Sequence, residues 1–360
     1  MSKSDPQSRK RSHDSSTKKS STSRKTGNTS PYDGDFQQKL EDRGIYSTTY
    51  RLPDGSRQPE PRNIEDIRNM LGRPCPSLSP SMFSETAFQD FEDANAKATA
   101  EAQVMANVVP LISGPHDGRY KSSGDRPFHN MKKFEASLTA PKPDKFYGAS
   151  LSQISPRIRN DLGQYIIPST DSSLPAAPNY FLAAKGASGR PDVAQRQAMY
   201  DGAVGARAML ELQNYGNAAP IYDGNAYTIM SVYQPVPGML VMYAMHPSQP
   251  KDAGGEPQYY TTRLDGYWMG GNADGFSAGA AAYRNAREWT KQQRDGFIIN
   301  ANLVAQRGST GTRSSSRHEN SKNLSLLIEE QPSTSETSAD ELALDHNPVA
   351  KRQRRSASPQ

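Results

Sequence analysis

Residues 179–186 read NYFLAAKG, and this stretch constrains the fold more than any other. An apolar run of strand length ends abruptly in Lys185 and Gly186. Pro191 then suits the first turn of a long helix, which ends near Tyr215-Gly216. Strands are predicted to follow over 226–233, 239–245 and 259–264, and a last long helix over 275–304. The first long helix carries Gly202, Gly205 and Ala206 near one face. Each glycine costs a helix about 1 kcal/mol, and small residues there allow the helix to pack closely on a sheet. The chain is therefore expected to form an α/β or α+β domain, with a central mixed sheet flanked by helices.

Upstream, Asn63 is placed to cap a short helix with Ile64, Ile67 and Leu71 on one face, stopped by Gly72. The Pro/Ser loop RPCPSLSPS comes next. Ser84 is an N-cap, with Phe83 and Phe88 spaced as a hydrophobic staple. The helix it starts is predicted to run to about Val109, with an inward face of Ala94, Ala98, Glu101, Met105, Val108 and then Ile112. An acid thus stands in the middle of an apolar stripe. Two or three strands are expected between Phe128 and Tyr147, the last beginning Pro143-Asp144, and a short helix over 151–165.

The hydrophobic fraction of 34% and the mean hydropathy of −0.82 are too polar for a chain folded along its whole length. Residues 1–34 and 307–360 are dominated by Ser, Thr and charged residues and are expected to be disordered, leaving one domain over 35–306. Arg9-Lys10-Arg11 lies in the first tail and Lys351-Arg352-Gln353-Arg354-Arg355 in the second. Such clusters read as nuclear-import signals or nucleic-acid patches rather than as plain solvated charge, which places the protein in the nucleus. The net charge of +5 permits a polyanionic partner without requiring one. A single cysteine excludes an intrachain disulfide framework. The six histidines are scattered, so a zinc site is not expected, and no apolar run is long enough to span a membrane. Neither a GxSxG elbow nor a Gly-Lys-Ser/Thr phosphate loop is present.

Three groups stand out as chemistry: Glu101 on its helix, Asp144 at the start of a strand, and Lys185 at the end of another, followed by Gln197 and Tyr200 on the next helix. A metal-dependent phosphodiesterase needs groups of this kind. Mg²⁺ takes one or two carboxylates and keeps several waters, the metal activates a bound water, and a lysine adds positive charge where the transition state is negative. Asp144 and Glu101 are the candidate ligands for Mg²⁺. Each residue also has a plainer role: Asp144 capping a turn, Lys185 leading its strand into solvent, Glu101 pairing with a buried arginine such as Arg207, and Gln197 and Tyr200 packing.

The arrangement resembles the PD-(D/E)xK nuclease superfamily. Pro143-Asp144 matches the PD element, Ala183-Ala184-Lys185 falls where (D/E)xK would be, and Gln197 with Tyr200 is similar to the Gln/Tyr helix of the RecB-like branch, spaced QxxY rather than QxxxY. Over residues 35–305, strings such as DKFYGA, APNYFLAAKG, RQAMYDGAVGARAM and AAYRNAREW resemble an uncharacterised domain family of filamentous fungi. Its members often read FFLEAKG at this strand, with Glu at the position of Ala183. The resemblance implies a PD-(D/E)xK-like fold whose catalytic acid is lost at Ala183. Three functions follow: a degenerate nuclease-like domain binding nucleic acid or a nuclear protein partner, an active Mg²⁺-dependent nuclease, or a scaffold acting through its tails. In the last helix Arg284, Arg287, Lys291 and Arg294 share one face and are candidates to lie along phosphates, against a plain solvated face. If the nuclease readings hold, the Asp144 carboxylate, the Lys185 amine and the Ala183 Cβ must surround one point.

Overall fold

The structure, a computed structural model, describes residues 28–79 and 81–310. The expected tails up to residue 27 and from residue 311, with their basic clusters, lie outside the described residues. The helices are α1 (Phe36–Asp42), α2 (Ile64–Leu71), α3 (Glu85–Lys97), α4 (Glu101–Gln103), α5 (Val109–Ser113), α6 (Pro156–Ile166), α7 (Pro191–Gln213) and α8 (Ala273–Thr310). The strands are β1 (Ile45–Tyr46), β2 (Lys121–Ser123), β3 (Lys145–Ala149), β4 (Ala176–Ala184), β5 (Thr228–Gln234), β6 (Met239–Ser248) and β7 (Gln258–Trp268). They form one seven-stranded sheet in the order β1-β7-β6-β5-β4-β3-β2. The sheet is mixed: β4/β5 and β1/β7 are parallel, and the other pairs are antiparallel. A mixed sheet with flanking helices is of α/β class, as the strand-helix-strand order suggested. Among the described residues no helix is long and apolar enough to cross a membrane.

β4 is buried along all of its length, as a strand covered on both faces must be. Alternation along it sorts the side chains. Phe181 and Ala183 belong to the apolar cluster of Ala194, Ala198, Tyr200 and Val204, so they face α7. Tyr180, Leu182 and Ala184 belong to the cluster on the other face, with Phe276, Tyr283 and Ala286 of α8. α7 joins β4 to its parallel neighbour β5, and its glycines explain how closely it lies on them. A Cβ on Gly205 would come within 2.6 Å of the Phe181 ring, and one on Gly202 within 2.5 Å of the Met230 sulfur.

Several expectations need correction. The helix begun at Ser84, whose hydroxyl accepts from the Ala87 N–H at 3.2 Å, does not run on to Val109. It stops at Ala98, where ψ is 88°. The chain restarts as α4 and passes through a π-helical turn, Val104–Val108, into α5. The Gln103 side chain stabilises the restart by accepting from the Thr99 and Ala100 N–H groups at 2.9 and 3.1 Å. The break shifts the phase of the apolar face, which now buries Val104 where Met105 was expected. Asn63 occupies the N-cap position of α2, as expected, and its carbonyl accepts from the Ile67 N–H at 3.0 Å, but its side chain makes no capping hydrogen bond. It exchanges two 2.9 Å hydrogen bonds with the Ala226 backbone, tying α2 to the start of β5. Between Phe128 and Tyr147 only β3 forms; the backbone of 128–132 pairs instead with Pro141, Pro168 and Gln164 carbonyls. Residues 28–34 are no tail. Thr29 is buried and makes a parallel bridge with Leu138.

Candidate functional site

β3 and β4 run antiparallel with Lys145 opposite Leu182, which sets Asp144 beside the end of β4. The Ala184 N–H donates to Asp144 Oδ2 at 2.8 Å. Lys185 follows directly, its N–H held by the Tyr233 carbonyl at 3.2 Å. Its side chain shares the parity of Ala183 and projects toward α7. The amine donates to Glu101 Oε2 at 2.7 Å and to Gln197 Oε1 at 3.2 Å, and it lies 3.9 Å from Asp144 Oδ2. Gln197, in the second turn of α7, donates in turn to Asp144 Oδ1 at 3.2 Å and to the Lys142 carbonyl at 3.0 Å. Asp144, Lys185, Glu101 and Gln197 therefore form one connected group. Lys185 does not lead its strand into solvent: it is 4% exposed.

Gly186 is what lets Glu101 arrive. A Cβ there would lie 2.5 Å from the Thr99 carbonyl and 3.1 Å from the Glu101 nitrogen. With only hydrogen at that position, the Ala187 N–H reaches the Thr99 carbonyl at 3.1 Å, and α4 starts against the exit of β4. Arg207, considered above as a partner for Glu101, is elsewhere. Its guanidinium stacks 4.0 Å from the Phe134 ring centre and donates to the Lys132 carbonyl.

The group lines a cleft of about 320 Å³, with Ser30–Tyr32 and Thr139–Lys142 on its walls. Two further residues line it. Tyr200 is buried, its ring edge-on to Phe36 at 5.7 Å. Asp201 is 0% exposed, and neither carboxylate oxygen has a hydrogen-bond partner among the described residues. Sequence reading passed over Asp201, although it stands four residues after Gln197 and so on the same helix face. Glu101, Asp144 and Asp201 outnumber Lys185, and the remaining ion pair at the cleft, Lys142–Asp125 at 2.5 Å, is neutral. Burial dominates the protonation behaviour of the two aspartates. Burial raises the Asp144 carboxyl to about 6, against the pull of Lys185 and with a further push from Glu101. Burial, then the Asp144 charge, holds Asp201 well above the ordinary carboxylate range. For the Lys185 amine burial pulls downward, but Asp144 and Glu101 together outweigh it and leave the amine above the usual lysine value.

Ala183 is 1% exposed and packs against α7, so no acid reaches the cleft from that position. Among the described residues no group of three or more His, Cys, Asp or Glu side chains is placed to hold a metal ion. The pair read as Mg²⁺ ligands, Asp144 and Glu101, does not fit that ion as it stands. Mg²⁺ binds oxygens at about 2.0–2.1 Å, and the Lys185 ammonium already fills the gap between the two carboxylates.

The basic residues of α8 do not form an open stripe. Arg284 donates to the Leu111 and Ile112 carbonyls and to Ser77. Arg287 donates to the Ser113 carbonyl and stacks 4.0 Å from the Tyr120 ring centre. Lys291 pairs with Asp295 at 2.6 Å, and Arg294 is 3% exposed, bonded to Asn179 Oδ1 at 2.9 Å. The three arginines fasten α8 to α5, to the loop before α3 and to β4, whereas the Lys291 pair stays within α8. Comparison with family models, with curated proteins and with solved structures finds no match to this chain.

Proposed function

We propose that the chain is a PD-(D/E)xK-like nuclease domain that has lost efficient cleavage and binds nucleic acid, or a protein partner, in the nucleus. One observation carries the reading: Asp144, Lys185 and Gln197 meet at the ends of two adjacent strands and the following helix, while Ala183 supplies no acid. A lysine held by carboxylates and a glutamine in a cleft is poised to meet a phosphoryl oxygen, where a fixed cation is worth more than in water. Efficient hydrolysis needs more than this. The Lys185 ammonium stands between the two acids expected to hold Mg²⁺, so the active-nuclease reading has the weaker support.

The test uses the full chain with plasmid DNA and Mg²⁺. The wild type is expected to leave the plasmid intact and to retain DNA at low salt, and Ala183→Glu is expected to gain cleavage. Cleavage by the wild type would instead favour an active enzyme. Loss of retention in both proteins would favour a scaffold acting through its tails.

A further inference from the structure

We propose that a second cleft, floored by Arg207, binds a small organic monocarboxylate with a flat apolar body, an aromatic acid being the simplest case. The cleft holds about 590 Å³, within the range of sites for small organic ligands, about 300–1,000 Å³. Arg207 carries the argument. It is 5% exposed, and charges buried to this degree are normally paired with an opposite charge. The other buried lysine and arginine side chains obey this: Lys185 meets Glu101, and Arg294 meets Asp295. Arg207 has no carboxylate within 4.0 Å among the described residues. Its compensation is partial. Nη2 donates to the Lys132 carbonyl, and the guanidinium lies 4.0 Å from the Phe134 ring centre. A carbonyl and a ring face offset part of a full charge, and a carboxylate offsets more. Burial leaves the guanidinium below the ordinary arginine value, with the phenols of Tyr259 and Tyr200 pulling the other way. Clamping residues 132–134 onto α7 accounts for Nη2 and for the stacked face. It does not account for Nη1, which makes no hydrogen bond among the described residues and, unlike Nε, is not enclosed.

The rest of the wall selects the ligand. Glu41, Asp42, Asp252 and Glu256 stand on it, offset by Arg43, Lys132, Lys133 and Lys251. The formal surplus is therefore the single charge of Arg207, which a monoanion cancels and a phosphate dianion overshoots. Gln258 lines the same cleft and is 6% exposed. Its Oε1 accepts from the Tyr260 hydroxyl at 2.7 Å, while its Nε2 makes no hydrogen bond among the described residues and is a second donor for an oxygen. The apolar part of the wall is aromatic: Tyr46, Tyr50 and Phe134, with Tyr46 and Tyr50 stacked at 4.1 Å. Flat rings pack well on aromatic side chains, and a carboxylate beside a guanidinium gains charge-assisted hydrogen bonds. A ring that carries one carboxylate combines both.

This cleft shares no lining residue with the Lys185 cleft, so its test is independent of the nuclease-like reading. Full-length protein carrying ¹⁵N-labelled arginine is titrated with sodium benzoate at constant ionic strength. Binding is followed by calorimetry and by the arginine Nε–H resonances. One saturable site is expected, with a raised melting midpoint and a shift of the Nε–H signal that disappears in Arg207→Met. Arg207→Met should weaken benzoate at least about 10-fold. Benzylammonium, which keeps the ring and reverses the charge, and inorganic phosphate should each bind the wild type at least about 10-fold more weakly than benzoate. Tyr50→Ala, at a partly exposed position, serves if Arg207→Met does not fold, and it should also weaken benzoate. Absence of saturable benzoate uptake by the wild type overturns the proposal without recourse to any variant. Wild-type affinity in a folded Arg207→Met or in Tyr50→Ala overturns it too, and so does phosphate or benzylammonium binding as tightly as benzoate.

Discussion

Lys185 sits where a cation should be expensive, and three neighbours explain why it is tolerated. Glu101, Gln197 and Asp144 surround the amine closely enough to offset the loss of water. His246, on β6, is solved differently. It is 3% exposed, its Nδ1 has no hydrogen-bond partner among the described residues, and its ring lies 5.7 Å from that of Tyr260. Burial pulls it down to about 4, with Asp223 resisting only in part. The folded chain thus binds fewer protons than the unfolded chain, whose histidine titrates near 6.5. The stability that this neutral ring contributes is fully present above about pH 6.5 and is lost as pH falls toward 4, by roughly 3 kcal/mol at most. His246→Gln should flatten the acid side of the curve of melting midpoint against pH relative to the wild type. Parallel curves down to about pH 4.5 would show that His246 is not the group responsible.

Among the elements, α7 shows how a poor helix sequence can be required by packing. Gly205→Ala should be destabilising although alanine favours helix, because its methyl would meet the Phe181 ring at 2.6 Å and the Thr228 methyl at 2.9 Å. Overpacking of this kind costs about 1–3 kcal/mol, against about 1 kcal/mol recovered from helix propensity. Gly296, in α8, has nothing within 4 Å of an added Cβ, so Gly296→Ala should stabilise by up to about 1 kcal/mol. Urea midpoints of the two variants should move in opposite directions; a rise for both would mean that β4 and α7 are looser than they look. The apolar run of β4, the glycines of α7 and the Pro191 start could all be read in the sequence, because local pattern dictates them. The interruption after α3 could not. Its cause is tertiary: the Thr99 carbonyl is taken by Ala187, which is distant in sequence and near only once β4 has been placed. For the same reason the pattern places Asn63 at its N-cap position but does not reveal that its side chain is taken by Ala226.

At the scale of the whole molecule, residue order alone gathers Asp144, Lys185, Glu101 and Gln197, since strand ends and the next helix converge in a fold of this class. Order said nothing of Asp201, which is recognisable only by the absence of partners around it. It also misled about α8: helical spacing put four cations on one face but could not show that α5, the loop before α3 and β4 lie against it. The same holds for the start of the domain. Composition placed the boundary at residue 35, whereas Thr29 bridges to Leu138, accepts from the Lys39 amine at 2.5 Å and leads into the Ser30–Tyr32 wall of the cleft. A chain shortened to begin at residue 35 should melt below one that begins at residue 28, because the Leu138 bridge and the Lys39 contact go with the segment. Equal melting would reduce this segment to a passive covering.

That segment is also a strap. Thr29 is bound to Leu138 and to the Lys39 amine while Ser30–Tyr32 line the cleft, so the same few residues tie α1 to the loop before β3 and form one wall of the site. Loosening the strap would open the cleft without altering any of its charged residues.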